Sequence, residues 1–165
     1  MNIFASKKLS LGLAVFVAFA AMASTASAES LLTFGTRVSN LNSTTGHVLV
    51  PLNDAGATAL PFNTTAANKL VKITYNAECG VLGPIGSWQS VTILVDGVQA
   101  NPQNGTDFAL CTATSTTTFS WMGAVRQSLI KVPAKGTHNV QVVVDLLAGS
   151  TEWWLGDASI VVEQQ

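Results

Sequence analysis

The chain of 165 residues carries eight basic and nine acidic side chains. Its Lys and Arg form no stripe or basic helix, so neither nucleic acid nor an anionic lipid surface is an electrostatic match. A composition 48% hydrophobic and only 10% charged excludes a disordered chain. Two cysteines and two histidines without a CxxC or a Cys/His cluster exclude a zinc finger or a thiol redox motif.

The first residues read as an address. Lys7 and Lys8 precede an apolar run over residues 11–22 that is too short and too rich in small residues for a membrane span, and Ala26-Ser27-Ala28 is an A-x-A cleavage site. Residues 1–28 are expected to be a signal peptide and residues 29–165 a single domain beginning at Glu29, with no membrane span once the leader is gone. Without Lys7 and Lys8 the mature chain keeps six basic against nine acidic residues, a net charge of about −3. Its 137 residues suffice for one real core.

Strand signals then follow one another without any helical period. Residues 32–38 form a first candidate, residues 40–45 a polar loop, and residues 48–52, interrupted by Pro51, an edge strand or a strand end. Asn53-Asp54-Ala55-Gly56 is a turn, residues 58–62 a short apolar piece, and residues 63–68 another polar loop. The clearest strand covers residues 69–79, where Val71, Ile73, Tyr75, Ala77 and Cys79 share one face and Lys72, Thr74, Asn76 and Glu78 the other. Residues 80–86, with Pro84 between glycines, read as a loop. Asp96-Gly97 between Val91-Thr92-Ile93-Leu94-Val95 and Val98-Gln99-Ala100 signals a type I′ hairpin.

Residues 101–105 form a turn-rich connection and residues 108–111 a short strand. The Ser/Thr-rich tract 112–118 fits a loop or a polar edge strand. Residues 119–122 and 124–132 are two strand segments bent apart at Gly123. Residues 137–147 make the longest predicted strand, near the middle of a sheet. Residues 152–155 and 158–162 are strands separated by a break at Gly156-Asp157. Eight to ten short strands at this spacing predict an all-β fold, a two-sheet antiparallel β-sandwich of jelly-roll or immunoglobulin-like type. Two cysteines in an exported chain predict one disulfide, Cys79 to Cys111, and a structural role for both.

The series Tyr75-Asn76-Ala77-Glu78-Cys79, Ile93-Leu94-Val95-Asp96-Gly97, Cys111, Gly136-Thr137-His138-Asn139-Val140 and Trp153-Trp154-Leu155 resembles a class of small exported bacterial β-sandwich proteins of unassigned function. The resemblance covers most of the mature domain and implies a fold and an exported location, with no catalytic residue to carry over.

A serine hydrolase would need a G-x-S-x-G elbow or an equivalent triad, and His47 and His138 are the only histidines. His138, near a turn, reads as a rim histidine bonded to backbone. Neither histidine has a spaced carboxylate partner, so no metal and no cofactor is expected. Glycoside cleavage needs two carboxylates facing a cleft, for which Glu78, Asp145, Glu152 and Asp107 are the candidates, whereas Asp54, Asp96 and Asp107 lie in turns. Strand alternation sends Trp153 and Trp154 to opposite faces. Trp153 goes with Leu155 into the core and Trp154 with Glu152 outward, so Trp154 and Glu152 form the candidate ligand-binding pair, and Trp154→Ala is expected to leave stability nearly intact. Three functions compete: a secreted, non-enzymatic binding module for glycan or another extracellular ligand; a structural or self-associating matrix-type protein, with homo-oligomers; and a small carboxylate-based glycoside hydrolase.

Overall fold

The computed structural model describes residues 30–103 and 108–165. The expected leader, the start at Glu29 and Asp107 lie outside the described residues. Within them the chain is all β, with no helix. It has eleven strands: β1 (Ser30–Arg37), β2 (Leu41–Ser43), β3 (Val48–Leu49), β4 (Leu60–Thr64), β5 (Lys69–Leu82), β6 (Trp88–Val95), β7 (Val98–Gln99), β8 (Ala109–Thr112), β9 (Met122–Val132), β10 (Gly136–Leu147) and β11 (Glu152–Gln164).

They form two antiparallel sheets packed face to face. One runs β1–β11–β5–β9, with β2 also on β11; the other runs β3–β10–β6–β7, with β4 also on β10 and β8 also on β6. Taking each pair of short strands that shares a partner as one interrupted edge strand leaves eight positions. Their order is first–eighth–third–sixth in one sheet and second–seventh–fourth–fifth in the other. That is jelly-roll connectivity, and it decides against the immunoglobulin alternative, in which the first and second strands are sheet neighbours.

The alternation read in β5 is the alternation observed. Val71, Ile73, Tyr75, Ala77 and Cys79 are all buried between the sheets, where they meet Val91, Ile93 and Val95 of β6, Val140, Val142 and Val144 of β10, and Trp153, Leu155, Ile160 and Val162 of β11. Cys79 on β5 is bonded to Cys111 on β8, so the disulfide ties one sheet to the other across a Cα separation of 6.1 Å. Closing that 32-residue loop contributes roughly 3 to 4 kcal/mol by the chain-entropy estimate. Asp96 and Gly97, with φ of 51° and 79°, form the two-residue hairpin loop between Val95 and Val98.

Several local expectations give way to sheet pairing. β5 does not end at Cys79 but continues through Gly80 to Leu82, because β11 pairs it there, Trp154 opposite Gly80 and Glu152 opposite Leu82. The longest strand is therefore β5, with 14 residues, against 12 in β10. β9 runs unbroken through Gly123, while residues 119–121 lie outside the strand. β11 is one strand of 13 residues, and the expected break at Gly156-Asp157 is a β-bulge facing Glu78. The Ser/Thr tract leaves its strand at Thr112 and becomes a loop, closed where the Ser115 hydroxyl accepts from the Thr117 and Thr118 amides.

Candidate functional site

Gly80, Gly123 and Gly156, where the sequence predicts breaks, lie on three adjacent strands of one sheet, and their neighbourhood is the most chemically loaded part of the surface. Its first component is aromatic. Trp153 faces the interior with no exposed area and donates its indole N–H to the Thr45 carbonyl at 2.8 Å. Trp154 turns to the outer face and donates to Glu152 Oε1 at 3.0 Å. The same oxygen accepts from Asn42 Nδ2 at 3.2 Å. Asn42, on β2, is the cross-strand partner of Trp154, so one row across the sheet sets both donors on a single carboxylate.

Phe119 and Trp121 close over this row. Phe119 can do so because residue 80 is glycine: a Cβ there would stand 3.1 Å from the Phe119 ring. Phe119 meets Trp154 edge-on, with centroids 5.7 Å apart and planes at 61°. Trp121 meets Trp154 at 5.7 Å and 87°. At such separations the rings touch one another and leave no slot between them. Of the three rings the most open is Trp121, which is 50% exposed. Trp154 is half-buried beneath its neighbours, so the exposed platform is Trp121 and the sequence-derived candidate Trp154 supports it.

Beside the rings runs a shallow groove lined by Asn76, Ala77, Glu78, Gly123, Ala124, Val125 and Asp157. Gly123, the cross-strand partner of Glu78, has open space where a side chain would stand. At Gly156 a Cβ would lie 3.2 Å from Glu78 Oε2 and 3.4 Å from Asn40 Oδ1, so the bulge admits only glycine without displacing the carboxylate. Behind the bulge, Arg37 is 2% exposed and donates to the carbonyls of Ser39, Leu155 and Gly156. Its guanidinium satisfies carbonyls that the bulge turns away from the ladder.

The remaining candidates are dispersed. Asp145 lies on the outer face of the other sheet, 3.3 Å from His47 Nδ1, with the whole sandwich between it and Glu78. Those two carboxylates therefore cannot face one cleft. Asp54 accepts from the amides of Val38 and Ser39. His138 lies 3.1 Å from the Ala134 carbonyl and 2.6 Å from Asp96, whose carboxylate also accepts from the Asn139 amide. Burial alone would raise the Asp96 carboxyl, but the hydrogen bonds from His138 and Asn139 outweigh it and hold it below the usual range. These contacts lock the β6–β7 hairpin to β10. A second depression, of about 410 Å³, lies at the opposite end of the sandwich between Val98, Gln99, Ile130 and Pro133. Among the described residues no group of three or more His, Cys, Asp or Glu is spaced to hold a metal ion. No helix there is long and apolar enough to cross a membrane.

Sequence reasoning missed Trp121, Phe119 and Asp157 as members of this patch. Part of the signal was present: reading Gly123 as a strand residue puts it on one face with Val125 and places Trp121 immediately before that strand begins, whereas the seat of Phe119 over Gly80 is tertiary.

Fold and site together define a disulfide-tied jelly-roll sandwich with an aromatic and carboxylate patch on one sheet. No family model and no curated protein matches the chain. Solved structures similar to it include the C-terminal domain of EclA, described as a sugar-binding protein, at 10% identity over 75% of this chain and 78% of that one, with a TM-score of 0.39. A structure of infectious bursal disease virus Gx strain is similar at 16% identity over 82% of this chain, with a TM-score of 0.41. Dimeric latent PorU from Porphyromonas gingivalis is similar at 9% identity over 85% of this chain, with a TM-score of 0.35. The chain spans only 32% and 14% of those last two chains. Likenesses of this strength assign no function.

Proposed function

We propose that this chain is an exported, non-enzymatic binding module that takes a glycan against the outer side of Trp121. The observation that carries this reading is a half-exposed indole, held by edge-to-face contact with Trp154, beside a groove of carboxylates and amides. A pyranose ring offers an apolar face for the indole and hydroxyls for the groove, and that pairing recognises sugars in water. Of the carboxylates a glycoside hydrolase could use, Glu78 and Asp145 lie on opposite faces and Glu152 is held by Trp154 and Asn42, so an enzyme would have to work with Glu78 and Asp157 in the groove. A glycan array probed with the wild type and Trp121→Ala tests the reading. We expect at least one glycan class to bind the wild type and to be lost in Trp121→Ala while that variant remains folded. Absence of binding, or binding indifferent to Trp121, would overturn it.

A second reading, self-association, is favoured by one observation. Phe34, Leu70, Val125 and Leu129 are 42 to 63% exposed and all lie on the outer face of the sheet that carries Trp121. Light scattering over a concentration series separates the two, since a matrix-type protein assembles and a binding module stays monomeric.

A further inference from the structure

The charge around Trp121 narrows the ligand. Glu78 and Asp157 line the groove, both exposed, and neither makes a hydrogen bond or ion pair among the described residues. Glu152 adds a third carboxylate beneath the rings. Opposing cations are remote or turned away. Arg37 lies behind the sheet, committed to three backbone carbonyls, and Arg126 points inward, donating to the Pro102 carbonyl at 2.9 Å and lying 3.7 Å from the Phe108 ring centroid. On the outer face the next cation along β5 is Lys72, six residues from Glu78 and already paired with Glu163 at 3.0 Å. Six strand residues span about 20 Å, more than twice the screening length in physiological salt, which is about 8 Å. Lys69 and Lys131 are farther along the same sheet, at the start of β5 and the end of β9.

Two unpaired carboxylates on adjacent strands repel each other, and a ligand cation placed between them relieves that repulsion. The same field repels uronic and sialic acids. Trp121 supplies the neighbouring half of such a site, since the face of an indole attracts both the C–H face of a pyranose and an ammonium group. Its position is fixed by the chain, because Trp121 is two residues ahead of Gly123, the partner of Glu78. Trp121 thus stands just before the paired stretch that ends beside Glu78, a gap that one sugar residue and its amino substituent can bridge.

Resting on the glycan reading above, we infer that the ligand is a cationic glycan, an oligomer or polymer of hexosamine with free amino groups, its ring on Trp121 and its ammonium between Glu78 and Asp157. The test is calorimetry with glucosamine hexamers in β-1,4 and β-1,6 linkage, the N-acetylated β-1,4 hexamer, cellohexaose and hexalysine. A glucosamine hexamer of either linkage should bind at least about tenfold tighter than the acetylated and neutral hexamers and weaken about tenfold when salt rises from about 0.05 to about 0.5 M. The linkage preferred tells chitin-derived from exopolysaccharide ligands. The double variant Glu78→Gln, Asp157→Asn should erase that preference while leaving the melting temperature unchanged, and Trp121→Ala should abolish binding of every sugar. Equal binding of cellohexaose and the glucosamine hexamers, lost in Trp121→Ala, would overturn the cationic assignment and keep the glycan reading. Hexalysine binding as tightly as the glucosamine hexamers, with Trp121→Ala silent, would make the patch a general acidic surface and overturn the assignment. No binding of any hexamer would overturn the cationic assignment, while the glycan reading stands or falls on the array.

Discussion

Tyr75, the only tyrosine in the chain, is 1% exposed on the inner face of β5. Burial pushes its phenol up to about 12, against the opposing pull of the nearby Arg37 guanidinium. The neutral form is thus favoured in the folded state, so this contribution to stability is intact below about pH 10, where the unfolded phenol begins to ionise, and is lost as pH rises toward 12. The loss should be on the order of 2 to 3 kcal/mol. Tyrosinate absorbance should show half-titration near 12 in folded protein, and a value near 10 would mean the phenol is not buried. The tryptophans should separate by depth. Trp153→Ala empties a core site and leaves the Thr45 carbonyl without its donor, costing roughly 3 to 5 kcal/mol. Trp154→Ala removes two edge-to-face contacts and should cost roughly 1 to 3 kcal/mol, more than its outward direction alone suggests. Trp121→Ala, at a half-exposed position, gives up one of those contacts and should cost roughly 0.5 to 1.5 kcal/mol. Denaturant midpoints for the three variants check that order, and equal losses for Trp121 and Trp153 would sink it.

At the scale of elements, what the sequence made legible and what it hid divide along one line. The buried face of β5, the Asp96-Gly97 hairpin and the opposite directions of Trp153 and Trp154 all follow from period-two alternation or turn chemistry, which are local. The three glycines were misread as strand breaks because low strand propensity is local too, whereas the hydrogen bonds that carry β5, β9 and β11 through them come from neighbouring strands. The patch was hidden for the same reason: Phe119, Trp121, Glu78, Trp154 and Asp157 meet only once β9, β5 and β11 are in register. Gly80→Val tests whether the glycines serve the patch or merely interrupt the pattern. A β-branched residue suits a strand, yet it would displace the Phe119 ring, so secondary structure should persist while near-ultraviolet dichroism from the Trp121–Trp154 contact collapses. Retention of that dichroism would show that the ring has another seat.

For the whole molecule, the disulfide joins the two sheets, and the apolar surplus lies on an outer face. The rims of the Trp121 sheet have a different character. β1 and β9 are its outermost strands, and each turns a guanidinium inward, Arg37 on one rim and Arg126 on the other, both 2% exposed. Desolvation lowers the Arg126 pKa, the mark of a cation held at a cost. An inward charge on a border strand makes that border a poor template, because a foreign strand docking there would have to shield the cation further from water. On β9 the border is also partly covered, since Asn101 and Leu129 exchange backbone hydrogen bonds, and the inward cation discourages a foreign strand on what remains open. Arg126→Leu should fold at least as stably as the wild type, judged by its melting temperature, yet form thioflavin-positive fibrils sooner on agitation. A variant that stays soluble for as long as the wild type would leave Arg126 with no protective part, and the arginines would then be chaperones of nothing but their own carbonyls.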